Sequence, residues 1–312
     1  MEQSSRRALG ISALYGLLSI LFCLPLFARP FGLGAADWDR QLFYFSEVLK
    51  NVVEYRQAPF WSPWHCGGNV MWQHPSVPLL SPVYLLVAVM PLALAVKVNI
   101  VLHYWIGLLG MHWLLTRAVR LTFLPLAVYA ASIFTLSGSL ALHLAAGDSD
   151  FLPAFYLPWL LYFLHLAFQT GRLRPALAAA AILAVTIYSG GVPVVPLALL
   201  AIGGLAVATA VTARDWRPLA FALVVGTYAA AYAAPKLLPV SEFVASDRFS
   251  DTRTATDHPD RMTGDMVWRA YTDSSLGVDA HVSGMQRHKW AEYGNYIGIL
   301  GAIAIGDRKS VV

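Results

Sequence analysis

The sequence predicts an all-α polytopic membrane protein, and three observations lead there. Of its 312 residues, 57% are hydrophobic and 13% charged, too apolar for an ordinary soluble domain. The apolar residues come in stretches of about twenty, the length a helix needs to cross the hydrocarbon core. The short links between them carry arginines in pairs: Arg6/Arg7, Arg117/Arg120, Arg172/Arg174 and Arg214/Arg217. Short cytoplasmic links collect Lys and Arg. The intervening links lack them, as in Gly147-Asp148-Ser149-Asp150. The N-terminus is therefore expected in the cytoplasm and the long loops outside the cell membrane.

Each element follows from this alternation. Residues 8–28 are the first span. A signal peptide would have a shorter apolar core and a small-residue cleavage site, so this span is read as retained. A first outer loop covers about 29–93. If its apolar part, 78–96, crossed the membrane, every later arginine pair would fall outside. Pro78, Pro82 and Pro91 break helix there, so 78–91 is expected to dip into the outer leaflet or lie at its surface, covered by protein. The following spans are then 94–116, 121–144, 151–169, 175–189, 192–213 and 218–238. A second outer loop covers about 239–293, and an eighth span begins near Tyr293.

Eight of the 22 Lys and Arg residues sit in the four arginine links. Topology explains them, so the formal charge of +4 carries no nucleic-acid signal. Cys23 and Cys66 are read as unpaired, non-catalytic thiols.

The first outer loop is the best place for chemistry. Asp37-Trp38-Asp39 follows the first span. Two acids there suit divalent-cation binding, Mg²⁺ or Mn²⁺, through carboxylate oxygens. They also suit general-base action on a hydroxyl, although such spacing occurs equally in solvated loops. Residues 41–56 read as an amphipathic helix, with Leu42, Phe45, Val48, Leu49, Val52, Val53 and Tyr55 near helical spacing. Trp61 and Trp64 suit the water–lipid boundary. Gly67-Gly68 allows close backbone approach to a phosphate or sugar, or simply a tight turn. His65 and His74 have no metal-ligand spacing. His103, His112, His143 and His165 lie in or near spans, where packing or helix-to-helix hydrogen bonding is the plain reading.

Several short runs recur in a familiar order. Asp37-Trp38-Asp39 comes first, then Ala58-Pro59-Phe60-Trp61-Ser62-Pro63-Trp64-His65-Cys66-Gly67-Gly68, then Leu79-Leu80-Ser81-Pro82-Val83-Tyr84-Leu85-Leu86. Leu157-Pro158-Trp159-Leu160-Leu161, Ser189-Gly190-Gly191-Val192-Pro193, Pro235-Lys236-Leu237-Leu238-Pro239 with Ser246-Asp247-Arg248, and Tyr296-Ile297-Gly298-Ile299-Leu300 follow. Together they resemble the YfhO-like branch of the GT-C membrane glycosyltransferases. The resemblance implies a GT-C-like bundle of about eight transmembrane helices with two long extracytoplasmic loops, in the bacterial inner membrane. It implies transfer of a sugar from a polyprenyl-phosphate donor to a cell-envelope glycan or lipid acceptor, with membrane lipid around it.

Carried over by the resemblance, Asp37 is the catalytic acid and Asp39 its neighbour. Asp148 and Asp150 stand in the family's second outer-loop position, and many relatives read Gly-His where this chain has Gly147-Asp148. The donor phosphate needs positive charge, which Arg40, Lys50, Arg56, Lys236 and Arg248 offer. Arginine matches phosphate oxygens in a bidentate way, and Arg248 is the preferred contact, unless it serves as a headgroup anchor. Gly67 and Gly68 are candidate substrate contacts. The prenyl chain is expected near 78–91.

Family members run on well past residue 306. The tail Asp307-Arg308-Lys309-Ser310-Val311-Val312 resembles a translated sequencing adapter. Residues 1–306 are therefore expected to be one transmembrane domain and 307–312 non-native. The other reading is a short cytoplasmic tail carrying Arg308 and Lys309. Two other functions fit a polytopic chain. A transporter or flippase would show internal repeats, and only the arginine spacing recurs. A non-enzymatic assembly protein would not need the acids.

Overall fold

The computed structural model describes residues 2–33, 37–64 and 67–246. The expected contact Arg248, residues His65 and Cys66, most of the second outer loop, the eighth span and the tail lie outside the described residues.

The described chain is an α-helical bundle. Helix α1 (Glu2–Cys23) continues as a 3₁₀ turn, Leu24–Ala28, begun by Pro25. After α2 (Trp38–Leu49) comes a π-helical turn, Lys50–Glu54. Two short strands, β1 (Trp61–Ser62) and β2 (Asn69–Val70), pair antiparallel. A single turn, α3 (Val83–Leu86), precedes α4 (Leu92–Trp113), which ends in a π turn, Leu114–Ala118. Then come α5 (Leu124–Thr135), α6 (Gly138–Ala146), a 3₁₀ helix (Ser149–Tyr156), α7 (Leu157–Thr170), α8 (Leu173–Tyr188), α9 (Val194–Ala213) and α10 (Arg217–Val244).

Among the described residues, six helical segments are long and apolar enough to cross a membrane: Ala8–Ala28, Leu92–Ala118, Leu124–Ala146, Ser149–Thr170, Val194–Ala213 and Arg217–Val244. Each overlaps an expected span. Helix α8 is shorter, at 16 residues, about 24 Å against a hydrocarbon core of about 30 Å. The stretch 78–91 forms no crossing helix, only α3 with Pro91 at the N-cap of α4.

Three departures have local causes. The span expected as one helix over 121–144 is broken between α5 and α6 at Leu136-Ser137. A Ser-Gly pair at 137–138 is a recognised kink site, with Ser137 extended at the N-cap of α6. The seventh span does not stop at Leu238, because α10 runs through Pro235 and Pro239 to Val244. The amphipathic helix begins earlier and is rotated. Its core face is Trp38, Gln41, Tyr44, Phe45, Glu47 and Val48, while Val52, Val53 and Tyr55 are exposed.

Register between helices is set by polar contacts along their length. Trp105 Nε1 donates to Ser12 O at 3.0 Å and Lys97 Nζ to Leu26 O at 2.6 Å, so α1 and α4 run antiparallel. Tyr156 meets His103 at 2.7 Å and Trp159 Nε1 donates to Ile106 O at 2.9 Å, so α4 and α7 run parallel. One apolar core joins the end of α1 with α2, α4 and α6; a second joins α7, α8, α9 and α10. The chain from Arg29 to Pro91 folds over one end of this bundle. Lys97 caps the carbonyls of Leu26 and Arg29. Tyr188 O receives the N–H groups of Leu79 and Leu80 at 2.7 and 3.1 Å. Gly190 lies so close to this segment that a β-carbon would stand 2.6 Å from Ser76 O, and its φ is +76°.

Candidate functional site

Asp37 stands at the N-cap of α2, where negative charge is favoured by the helix dipole. Its carboxylate makes no cap hydrogen bond and instead pairs with Arg40, one turn on, at 2.9 Å. Both side chains are 45% exposed. Trp38 turns inward into the core, whereas Asp39 is exposed. The two acids therefore do not face a common point.

What the sequence separates by more than a hundred residues, the fold joins. The Asp37 N–H donates to Ala146 O at 2.9 Å. Gly147 has φ +97°, and a β-carbon there would lie 2.4 Å from Trp38 N. Only glycine fits both the backbone angle and the approach. This contact seats the link Asp148-Ser149-Asp150 beside the first turn of α2. Ser149 Oγ donates to Gln41 Oε1 at 2.9 Å, a buried bond between the two loops. Asp148 Oδ2 lies 3.2 Å from His143 Nδ1, and the His143 ring stacks on Phe151 at 3.8 Å. Gln41 Nε2 and Asp150 Oδ1 are buried without a hydrogen-bond partner among the described residues.

The charges also meet at Tyr44. Burial holds its phenol above the ordinary tyrosine value. Arg40 pulls it down, and Asp150 and Asp37 push it up. Asp37, Arg40 and Asp150 therefore act on one small volume.

The other expected residues fall elsewhere. Gly67 and Gly68 form the turn of the β1–β2 hairpin, both with positive φ. A β-carbon on Gly68 would lie 2.0 Å from the Trp61 ring, so the close approach serves an indole. Lys236, expected as a phosphate contact, is 1% exposed, and its ammonium donates to Trp72 O, His74 O and Val77 O at 3.0, 2.8 and 3.3 Å. It holds the first loop on α10. Lys50 lies 4.3 Å over the Trp64 ring. For a divalent cation, the described residues bring together no group of three His, Cys, Asp or Glu side chains, and Asp37 already faces Arg40. The described residues therefore offer no all-protein cage for Mg²⁺ or Mn²⁺.

Sequence reading missed Gln41, Ser149 and the role of His143. The only signal for His143 was its place five residues before Asp148. The intramembrane histidines His103 and His112 behave as the plain reading expects, bonded to Tyr156 and to Tyr15 at 2.7 and 2.8 Å.

The arrangement offers a carboxylate at a helix N-terminus, a guanidinium beside it, and buried polar groups below. It can bind an anion and accept a proton. Comparison of the chain with family models, with curated proteins and with solved structures finds no match.

Proposed function

We propose that this integral membrane protein is a glycosyltransferase of GT-C type. It moves a sugar from a polyprenyl-phosphate donor to a cell-envelope glycan or lipid acceptor, at the outer face of a bacterial inner membrane. The observation that carries the reading is the meeting of Asp37 and Arg40 with the Asp148-Ser149-Asp150 link.

The Asp37–Arg40 pair is exposed enough to open. A donor phosphate competes for the Arg40 guanidinium, which suits phosphate oxygens. Asp37 is then freed to accept the proton of the acceptor hydroxyl. That oxygen attacks the anomeric carbon, the bond to the phosphate oxygen breaks, and its electron pair leaves with the prenyl phosphate. One displacement of this kind inverts the anomeric centre. The prenyl chain runs along α2 to a groove of about 590 Å³ bounded by Leu49, Val53, Tyr84 and Val87. Arg248 is kept as a second phosphate contact, and Asp148 and Asp150 as partners for sugar hydroxyls.

Asp37→Asn removes the base and keeps the shape. In cells whose only copy carries Asp37→Asn, surface glycans read by mass spectrometry should lose one sugar, while the protein still inserts in the membrane. Unchanged glycans with the variant inserted would sink the reading.

A further inference from the structure

A second cleft, of about 730 Å³, opens on the far part of α2 and is not needed by the reaction above. Val48, Val52, Leu79, Leu80, Trp72 and Tyr188 are among the residues that line it. Part of this lining is fixed by hydrogen bonds. Trp72 Nε1 donates to Pro235 O at 2.7 Å, Tyr188 O accepts Leu79 and Leu80 N–H, and Ser189 Oγ donates to Leu80 O at 2.9 Å. The cleft is therefore pre-formed, and of a size that takes a small ligand or a lipid chain.

One cation lines it. Arg56 has φ +51°, in the left-handed region that a non-glycine residue seldom adopts. A buried asparagine holds it there. Gln57 N–H donates to Asn51 O and Gln57 Nε2 to Asn51 Oδ1, both at 3.0 Å, while Asn51 Nδ2 donates to Glu47 O at 2.8 Å. Asn51 itself is 1% exposed. Among the described residues Arg56 forms no ion pair, even with nearby Glu54. The chain thus holds a strained turn that sets a guanidinium, without a carboxylate partner among the described residues, beside an apolar trough.

We infer that this cleft binds a phosphate-headed lipid of the surrounding bilayer, its chain against Val48, Val52, Leu79 and Leu80 and its phosphate on Arg56. Charge complementarity selects an anionic head, and the apolar walls select a chain. Val48 stands ten residues beyond Trp38, about 15 Å along α2. A phosphate on Arg56 is thus too far from Asp37 to be the reacting one, which favours a bilayer lipid over the sugar donor. The site itself does not depend on the transferase reading; the choice of a bilayer lipid over the sugar donor rests on it.

The test uses the full chain, purified in detergent, titrated with phosphatidylglycerol and followed by native mass spectrometry. Wild type should retain one phosphatidylglycerol. Arg56→Gly removes the charge and suits the backbone angle; it should weaken binding at least tenfold with the melting temperature unchanged. Arg56→Lys should bind within a few-fold of wild type, and Val52→Trp, which fills the trough, should lose binding. Arg56→Gly and Val52→Trp both binding like wild type would overturn the site. Diacylglycerol binding as well as phosphatidylglycerol would overturn the phosphate contact. A C55 prenyl phosphate displacing phosphatidylglycerol at tenfold lower concentration would overturn the assignment to a bilayer lipid.

Discussion

The indole N–H of Trp72 donates to the main-chain carbonyl of Pro235 at 2.7 Å. In a regular helix that carbonyl would receive the N–H of residue 239, but residue 239 is proline and has none. The first loop therefore repairs a defect in α10, and α10 continues for another turn. Trp72→Phe keeps most of the packing and removes the donor. It should cost about 0.5–1.5 kcal/mol, read as a lower melting temperature of the detergent-solubilised protein. No loss of stability would mean the carbonyl finds another donor.

Lys236 works on the same contact from the other side. Lys236→Met leaves the carbonyls of Trp72, His74 and Val77 without their shared donor. The loss should exceed that of Trp72→Phe, at roughly 3 kcal/mol or more. Limited proteolysis should then cut within 72–77, a segment that stays intact in wild type.

Two glycines with similar backbone angles should respond differently to alanine. Gly67 has φ +80° and open space around it, so Gly67→Ala meets only backbone strain, about 1–2 kcal/mol. Gly147 has φ +97°, and a β-carbon there would lie 2.4 Å from Trp38 N. Gly147→Ala must also push α2 away from the Asp148-Ser149-Asp150 link, so it should destabilise more and reduce the proposed sugar transfer. Equal effects of the two substitutions would mean that the Asp37–Ala146 contact does not hold the site together.

The proposed orientation can be checked with single cysteines in a chain freed of Cys23 and Cys66. Glu54 and Arg172 are both exposed and sit in links at opposite ends of the spans. In intact spheroplasts, a membrane-impermeant maleimide should label Glu54→Cys. Arg172→Cys should react only after permeabilisation. The reverse pattern would invert the proposed topology.

How far the chain could be read from its sequence depends on the range of the forces involved. Crossing a hydrocarbon core requires a local run of apolar residues with its own hydrogen bonds satisfied. Six of the expected spans, the broken segment at 78–91 and the helix following Asp37 were therefore visible residue by residue. The arginine pairs are local too, and they predicted which links share a side. Boundaries failed where a distant group acts: α10 outran Leu238 because Trp72 supplies a missing donor.

The site was only half legible for the same reason. Asp37 was visible because an acid after a span is conspicuous. Nothing near it in the chain points to Gln41 meeting Ser149, which lies 108 positions away. Lys236 looked available for phosphate because a sequence does not show that three carbonyls surround an ammonium. The sequence by itself determined that the chain is helical, apolar and built of membrane-length segments, because these follow from local hydrophobicity and backbone hydrogen bonding. Only the tertiary structure decided which polar groups meet, because buried hydrogen bonds join partners wherever the fold brings them within about 3 Å.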